Sequence, residues 1–134
     1  MRTFLDSGVL MTAWKGKEPE MRAAMQIMDD TRRTFVTSEL VKLELLPKPA
    51  FFTMRKETKF YAEHFAKAVQ TELLSHELCR SAFLIAEKHG LAAVDALHVA
   101  AAIKLGAEEF ITTESPGKPL FRVNEIKIIP LHAA

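Results

Sequence analysis

The sequence predicts an α/β fold, a single domain with a parallel sheet of about five short strands flanked by helices. Two observations carry that expectation. Short apolar or β-branched runs recur along the chain, and stretches with apolar residues at helical spacing separate them. The chain has 134 residues, about half of them hydrophobic, with no internal repeat, low-complexity tract or linker, so residues 1–134 suit one core.

Thr3, Phe4 and Leu5 read as a first strand ending at Asp6. Val9, Leu10, Ala13 and Trp14 follow at helical spacing, with Trp14 expected to pack on the core. Pro19 stands where a first helical turn begins, and Met21, Ala24, Met25 and Met28 make an apolar stripe, read as core, running to about Asp30. Thr34–Thr37 is a second strand. Ser38 is an N-cap for a helix through Leu46, which Pro47 and Pro49 are expected to stop. A polar helix follows over about Thr53–Lys67, with Phe60, His64 and Ala68 on one side. Val69–Leu74 alternates as a third strand. Ser75 then caps a helix closed by Gly90. Val94–Leu105 is almost entirely apolar or alanine, which predicts a helix buried on most sides and ended by Gly106. Glu109–Thr112 and Ile126–Pro130 complete the strands, and the Ser115–Pro119 stretch reads as a surface loop.

The formal net charge of +1 offers no global basic field, so any nucleic-acid role must rest on a local patch. The single cysteine, Cys79, excludes an internal disulfide and reads as a small buried hydrophobe in a reducing compartment. No apolar run is long enough to span a bilayer, and Asp6 interrupts the first one where a signal peptide needs continuity. The expectation is a soluble cytoplasmic protein.

In open parallel sheets functional groups gather at the carboxyl ends of strands and the adjoining helix starts. Asp6 follows the first strand, Glu114 follows the fourth, and Asp95 opens the alanine-rich helix. Glu44 lies in a helix among apolar residues, within Leu43-Glu-Leu-Leu. Each has an ordinary structural reading: Asp6 or Asp95 as a helix cap, Glu44 as an ion-pair partner of Lys48, Glu114 as a loop acid. Together on one sheet edge they would raise one another's pKa unless a cation relieved the repulsion. Oxygen-only ligands suit Mg²⁺ or Mn²⁺, which beside a phosphodiester polarises the phosphoryl oxygen and activates water.

At these residues the sequence resembles the PIN-domain family, in particular the VapC-type ribonuclease toxins of bacterial and archaeal toxin–antitoxin pairs. The resemblance rests on Phe4-Leu-Asp-Ser-Gly-Val-Leu, Thr37-Ser-Glu-Leu-Val-Lys-Leu-Glu-Leu, Gly90-Leu-Ala-Ala-Val-Asp-Ala-Leu-His-Val-Ala-Ala-Ala and Phe110-Ile-Thr-Thr-Glu. The blocks occur in the family's order over about residues 2–130. The resemblance implies a PIN-like, Rossmann-like sheet and a metal-dependent endoribonuclease with RNA as substrate. It also implies Mg or Mn held by Asp6, Glu44, Asp95 and Glu114, a homodimer, and a small antitoxin as partner. The family's last block usually carries Asp where this chain has Glu114.

Around the acids, Thr112 matches a hydroxyl residue that family members often carry beside the last acid, and Ser38 leads the helix bearing Glu44. His98, three residues after Asp95, shares its helical face and reads as a donor to Asp95 or as a core histidine. Lys42, Lys48, Arg55, Lys56 and Lys59 form a basic cluster, joined by Lys118 and Arg122 after Glu114. These cations suit RNA phosphates or an ordinary solvated face. The alternative to a nuclease is a PIN-like module that binds RNA or protein with weak or no activity. A dehalogenase-type phosphatase would need a second Asp where Gly8 stands, and no glycine-rich phosphate loop is present.

Overall fold

The computed structural model describes all residues 1–134. Five strands form one parallel sheet: β1 (Arg2–Leu5), β2 (Thr34–Ser38), β3 (Gln70–Glu72), β4 (Glu109–Thr112) and β5 (Lys127–Pro130), in the order β3-β2-β1-β4-β5. The helices are α1 (Ser7–Lys15), α2 (Glu20–Met28), α3 (Glu39–Leu45), α4 (Pro47–Phe51), α5 (Arg55–Lys67), α6 (His76–His89) and α7 (Ala93–Lys104). Two 3₁₀ turns, Pro119–Arg122 and Leu131–Ala133, flank β5. The expected α/β architecture is therefore present.

The strand order reverses beside β1. The chain builds outward from β1 to β3, then returns to place β4 on the other side of β1. Right-handed crossovers put the β1–β2 and β2–β3 connections on one face and the β3–β4 connection on the other. Side-chain contacts agree with this. Phe35 of β2 meets His64 of α5, whereas Phe4 of β1 meets His98 of α7. Phe4 pairs in register with Val36 and Phe110, so that row lines the α7 face. Phe4 and Phe110 stack with ring centroids 5.2 Å apart.

The alanine run of α7 buries Ala96, Ala100, Ala101 and Ala102, and α7 packs closely against α6 and β2. Gly90 ends α6 at φ +67, where a side chain would be strained, and so turns the chain into α7 within a few residues. Ser38 and Ser75 cap α3 and α6 through hydrogen bonds to Val41 N and Leu78 N.

α3 stops at Leu45, ahead of Pro47 as expected, and Pro47 then starts α4, because proline suits a first helical turn where no N–H is required. Several expectations need correction. In α2 the buried residues are Ala24 and Ile27, while Met25 is exposed. In α5 the inner face is Glu57, Tyr61, His64 and Phe65, with Phe60 and Ala68 only half-buried. Cys79 is exposed, because α6 turns Leu78 and Ala82 inward instead. Trp14 is half-buried and lies against Phe60.

Candidate functional site

Parallel register builds the centre of the site. Phe4 pairs with Val36, and Leu5 with Ile111. Continuing both registers puts Ser38, Asp6 and Thr112 in one row at the carboxyl edge, on the α7 face. This is the point where the strand order reverses, the usual crevice of an open α/β sheet.

Asp6 sits in this crevice with its side chain 14% exposed. Its backbone N–H extends the ladder to Ile111 O at 3.0 Å. Its carboxylate accepts from Ser7 N at 2.8 Å and from the Thr112 hydroxyl at 3.1 Å. Asp6 is therefore also the N-cap of α1, so the capping role and the crevice position coexist. Burial pushes its carboxyl above the usual aspartate value. His98, Thr112 and Ser7 pull the other way, and the nearby Asp95 charge adds to the rise. The fully buried Thr112 hydroxyl also accepts from Glu114 N at 3.1 Å, tying the backbone of Glu114 to the same edge. Gly8 allows the first turn of α1 to reach this edge, since a Cβ there would stand 2.5 Å from the Thr113 hydroxyl oxygen.

His98 reaches the same crevice from α7. Its Nε2 lies 2.6 Å from Glu44 Oε1 and 3.9 Å from Asp6 Oδ1. Of the two readings of His98, the bond to Asp95 does not form; the ring is buried, and Glu44 in α3 is its partner. The reason is helical direction. His98 is on the inner side of α7, 2% exposed and pointing at the sheet edge where α3 begins, while Asp95 stays half-exposed in the first turn. The His98 bond holds the Glu44 carboxyl below the usual glutamate value against partial burial, and the Ser7 hydroxyl adds to the effect. Glu44 is thus the acceptor and His98 Nε2–H the donor, leaving the sealed Nδ1 of His98 without a partner. The alternative Glu44–Lys48 ion pair is not formed.

Glu44, His98, Asp6 and Thr112 are therefore linked through side chains, with Asp95 close enough to act on Asp6 electrostatically. Ser38 lies in the row, but its hydroxyl is committed to capping α3. Of the cations, Lys42 places its ammonium 5.7 Å from the centre of the Phe65 ring, and Arg122 donates to His89 O at the end of α6. Arg55, Lys56, Lys59 and Lys118 are exposed. Lys48 lines a cleft that Glu44 also borders, together with Lys15, Trp14, Glu57 and Tyr61. The sequence reading missed this cleft. Its one readable trace was Glu57 four residues before Tyr61 on a single face of α5.

No three of the His, Cys, Asp and Glu side chains close into a metal cage. Yet Asp6 is a buried carboxyl whose value burial raises, with the Asp95 charge acting on it and Glu44 reached through His98. Mg²⁺ commonly binds through one or two carboxylates and keeps much of its water, so an open set of this kind suits it.

A profile of the PIN domain matches residues 3–115. The chain belongs to the PIN domain family. Comparison with curated protein sequences finds no match. Among solved structures, this PIN domain is similar to a chain of VapBC2 from Rickettsia felis bound to a DNA fragment from its promoter, with TM-score 0.69, 14% identity and coverage of 97% of this chain and 98% of that one. It is similar to a chain of VapBC-1 from nontypeable Haemophilus influenzae, with TM-score 0.69, 17% identity and coverage of 98% and 99%. It is also similar to Mycobacterium tuberculosis VapC20, described as a sarcin-ricin loop cleaving toxin, with TM-score 0.67, 17% identity and coverage of 93% and 98%. At these identities the likeness is one of fold. No helix of the PIN domain is long and apolar enough to cross a membrane.

Proposed function

We propose that this PIN domain is a Mg²⁺- or Mn²⁺-dependent endoribonuclease, the toxin of a toxin–antitoxin pair in the cytoplasm, acting as a homodimer on RNA. The observation that carries the reading is the link from Glu44 through His98 to Asp6 and Thr112 at the strand-order reversal, with Asp95 beside it. The VapBC complexes and the RNA-cleaving VapC20 among the fold relatives support the toxin assignment and the expectation of a small antitoxin.

Asp6 and Asp95 would hold the cation directly, with Glu44 and Glu114 completing the anionic wall. When bound, the cation supplies Lewis acidity at the scissile phosphodiester. Thr112 fixes the orientation of Asp6 by its hydroxyl bond, and its second bond positions the backbone before Glu114. His98 holds Glu44 ionised, so Glu44 can orient an attacking water from the open side, where its side chain is 32% exposed. Lys48, Lys118 and the exposed cations of α5 contact neighbouring phosphates.

The test is cleavage of a structured RNA with and without Mn²⁺, for the unmodified chain and for Asp6→Ala. Cleavage that needs the metal and is lost in Asp6→Ala supports the reading. Metal-free RNA binding that survives Asp6→Ala, without cleavage by either protein, overturns it in favour of a binding module.

A further inference from the structure

Beside the acid crevice lies a second hollow of about 320 Å³, with Glu44 on the border between them. Its walls include Trp14, Phe52 and Tyr61, and its rim carries Lys15 and Lys48. Trp14 is braced from behind by Phe60, with ring centroids 5.3 Å apart. Glu57, which is 6% exposed, adds a buried carboxylate to the lining.

The two oxygens of Glu57 differ. Oε2 accepts from the Tyr61 hydroxyl at 3.0 Å and has the Lys15 ammonium 3.9 Å away. Oε1 makes no hydrogen bond within the protein and is not sealed from solvent. A buried carboxylate with one oxygen committed and one open calls for an N–H donor. The hollow thus combines aromatic faces, a buried acceptor and cations at the mouth. An apolar peptide side chain would leave the open oxygen of Glu57 and Lys48 unanswered. A nucleobase answers all three: its ring stacks, its amino group donates inward, and its phosphate stays at the rim.

We infer that this hollow is a nucleobase subsite, and that Glu57 selects a base with N–H donors on its pairing edge, guanine above all. The guanine 2-amino group donates to Oε1, and its N1–H takes the lone pair that Tyr61 leaves on Oε2. Uracil presents one N–H between two carbonyl oxygens, which face the carboxylate unfavourably. The inference rests on the nuclease reading, because RNA is what brings a base to the border of the acid crevice.

Trp14 is the only tryptophan in the chain, so its emission reports on the hollow directly. The full chain is titrated in EDTA with GMP, inosine 5′-monophosphate, AMP, CMP and UMP. The expected result is quenching by GMP at concentrations about tenfold below UMP, with inosine monophosphate, which lacks the 2-amino group, several-fold weaker than GMP. Glu57→Gln should bring GMP and UMP within about threefold, and the inosine comparison needs no variant to fold. Equal quenching by all five nucleotides overturns the assignment. So does quenching by an apolar probe such as acetyl-Leu-Leu-Phe-amide when no nucleotide quenches. The titration involves no metal and no hydrolysis. Active protein without base preference sinks only this inference, and base-selective binding by an inactive protein sinks only the nuclease reading.

Discussion

His98 Nε2 and Glu44 Oε1 meet at 2.6 Å, joining two helices whose residues stand 54 positions apart in the chain. That bond, together with the Ser7 hydroxyl, holds the Glu44 side chain at the crevice. His98→Ala removes both the donor and a buried ring, and should cost about 3 kcal/mol in a urea titration. RNA cleavage should fall at least about tenfold per folded molecule, the loss of one positioned group. His98→Gln keeps a donor and should retain more of both. Equal activity in the two variants would show that the bond does not position Glu44.

Burial makes ionisation of the Asp6 carboxyl unfavourable. Above the unfolded value of 3.8 the folded protein keeps a proton that the unfolded chain has released, so stability falls as pH rises from there through the raised folded value. Asp6→Asn removes that charge and keeps an acceptor for Ser7 N, with the amide NH2 replacing the oxygen that accepts from Thr112. Without added metal, the variant should be more stable than the unmodified chain at neutral pH, read as a higher Tm by calorimetry. Mn²⁺ should raise the Tm of the unmodified chain and leave the variant unchanged.

His64 gives the fold its acid sensitivity. Its ring lies between Phe35 and Phe65, and its sealed Nε2 has no partner. Burial, reinforced by the Lys67 ammonium, pulls it down to about 4 from 6.5. Between those values the unfolded chain takes up a proton and the folded one does not, so stability falls as pH drops from about 6.5 to about 4. The loss should reach roughly 3 kcal/mol. His64→Leu should flatten that slope in urea titrations run across the interval. An unchanged slope would assign the acid sensitivity to other groups.

At the opposite, amino edge of the sheet, Arg33 Nε donates to Glu109 Oε1 at 2.7 Å, and the Thr3 hydroxyl donates to the same oxygen at 2.7 Å. Glu109 is 4% exposed, so Arg33→Met strands a buried charge. The expected cost is about 3 kcal/mol. Cleavage per folded molecule should not change, because the pair sits at the amino ends of β2 and β4, away from Asp6 and Thr112. A selective loss of activity would mean that the two edges are coupled.

Local pattern alone determined much of this protein. The β-branched runs, the capping serines, Gly90 and the alanine run of α7 each act within a few residues, and the strands and helices fall where those signals stand. Asp6 was readable as well, because an acid that ends a parallel strand lands on the carboxyl edge by geometry, whereas Thr112 was singled out only through the family resemblance. The partner of His98, the placement of Cys79 and the cleft at Glu57 were decided by tertiary structure. A helical pattern says which residues share a face, but not which neighbouring helix that face meets. His98 shares a face with Asp95 in sequence, yet the packing of α7 on β2 turns its ring to α3 and Glu44. Only when the strand order brings α3, α7 and the end of β1 to one crevice do these charges come within reach of each other.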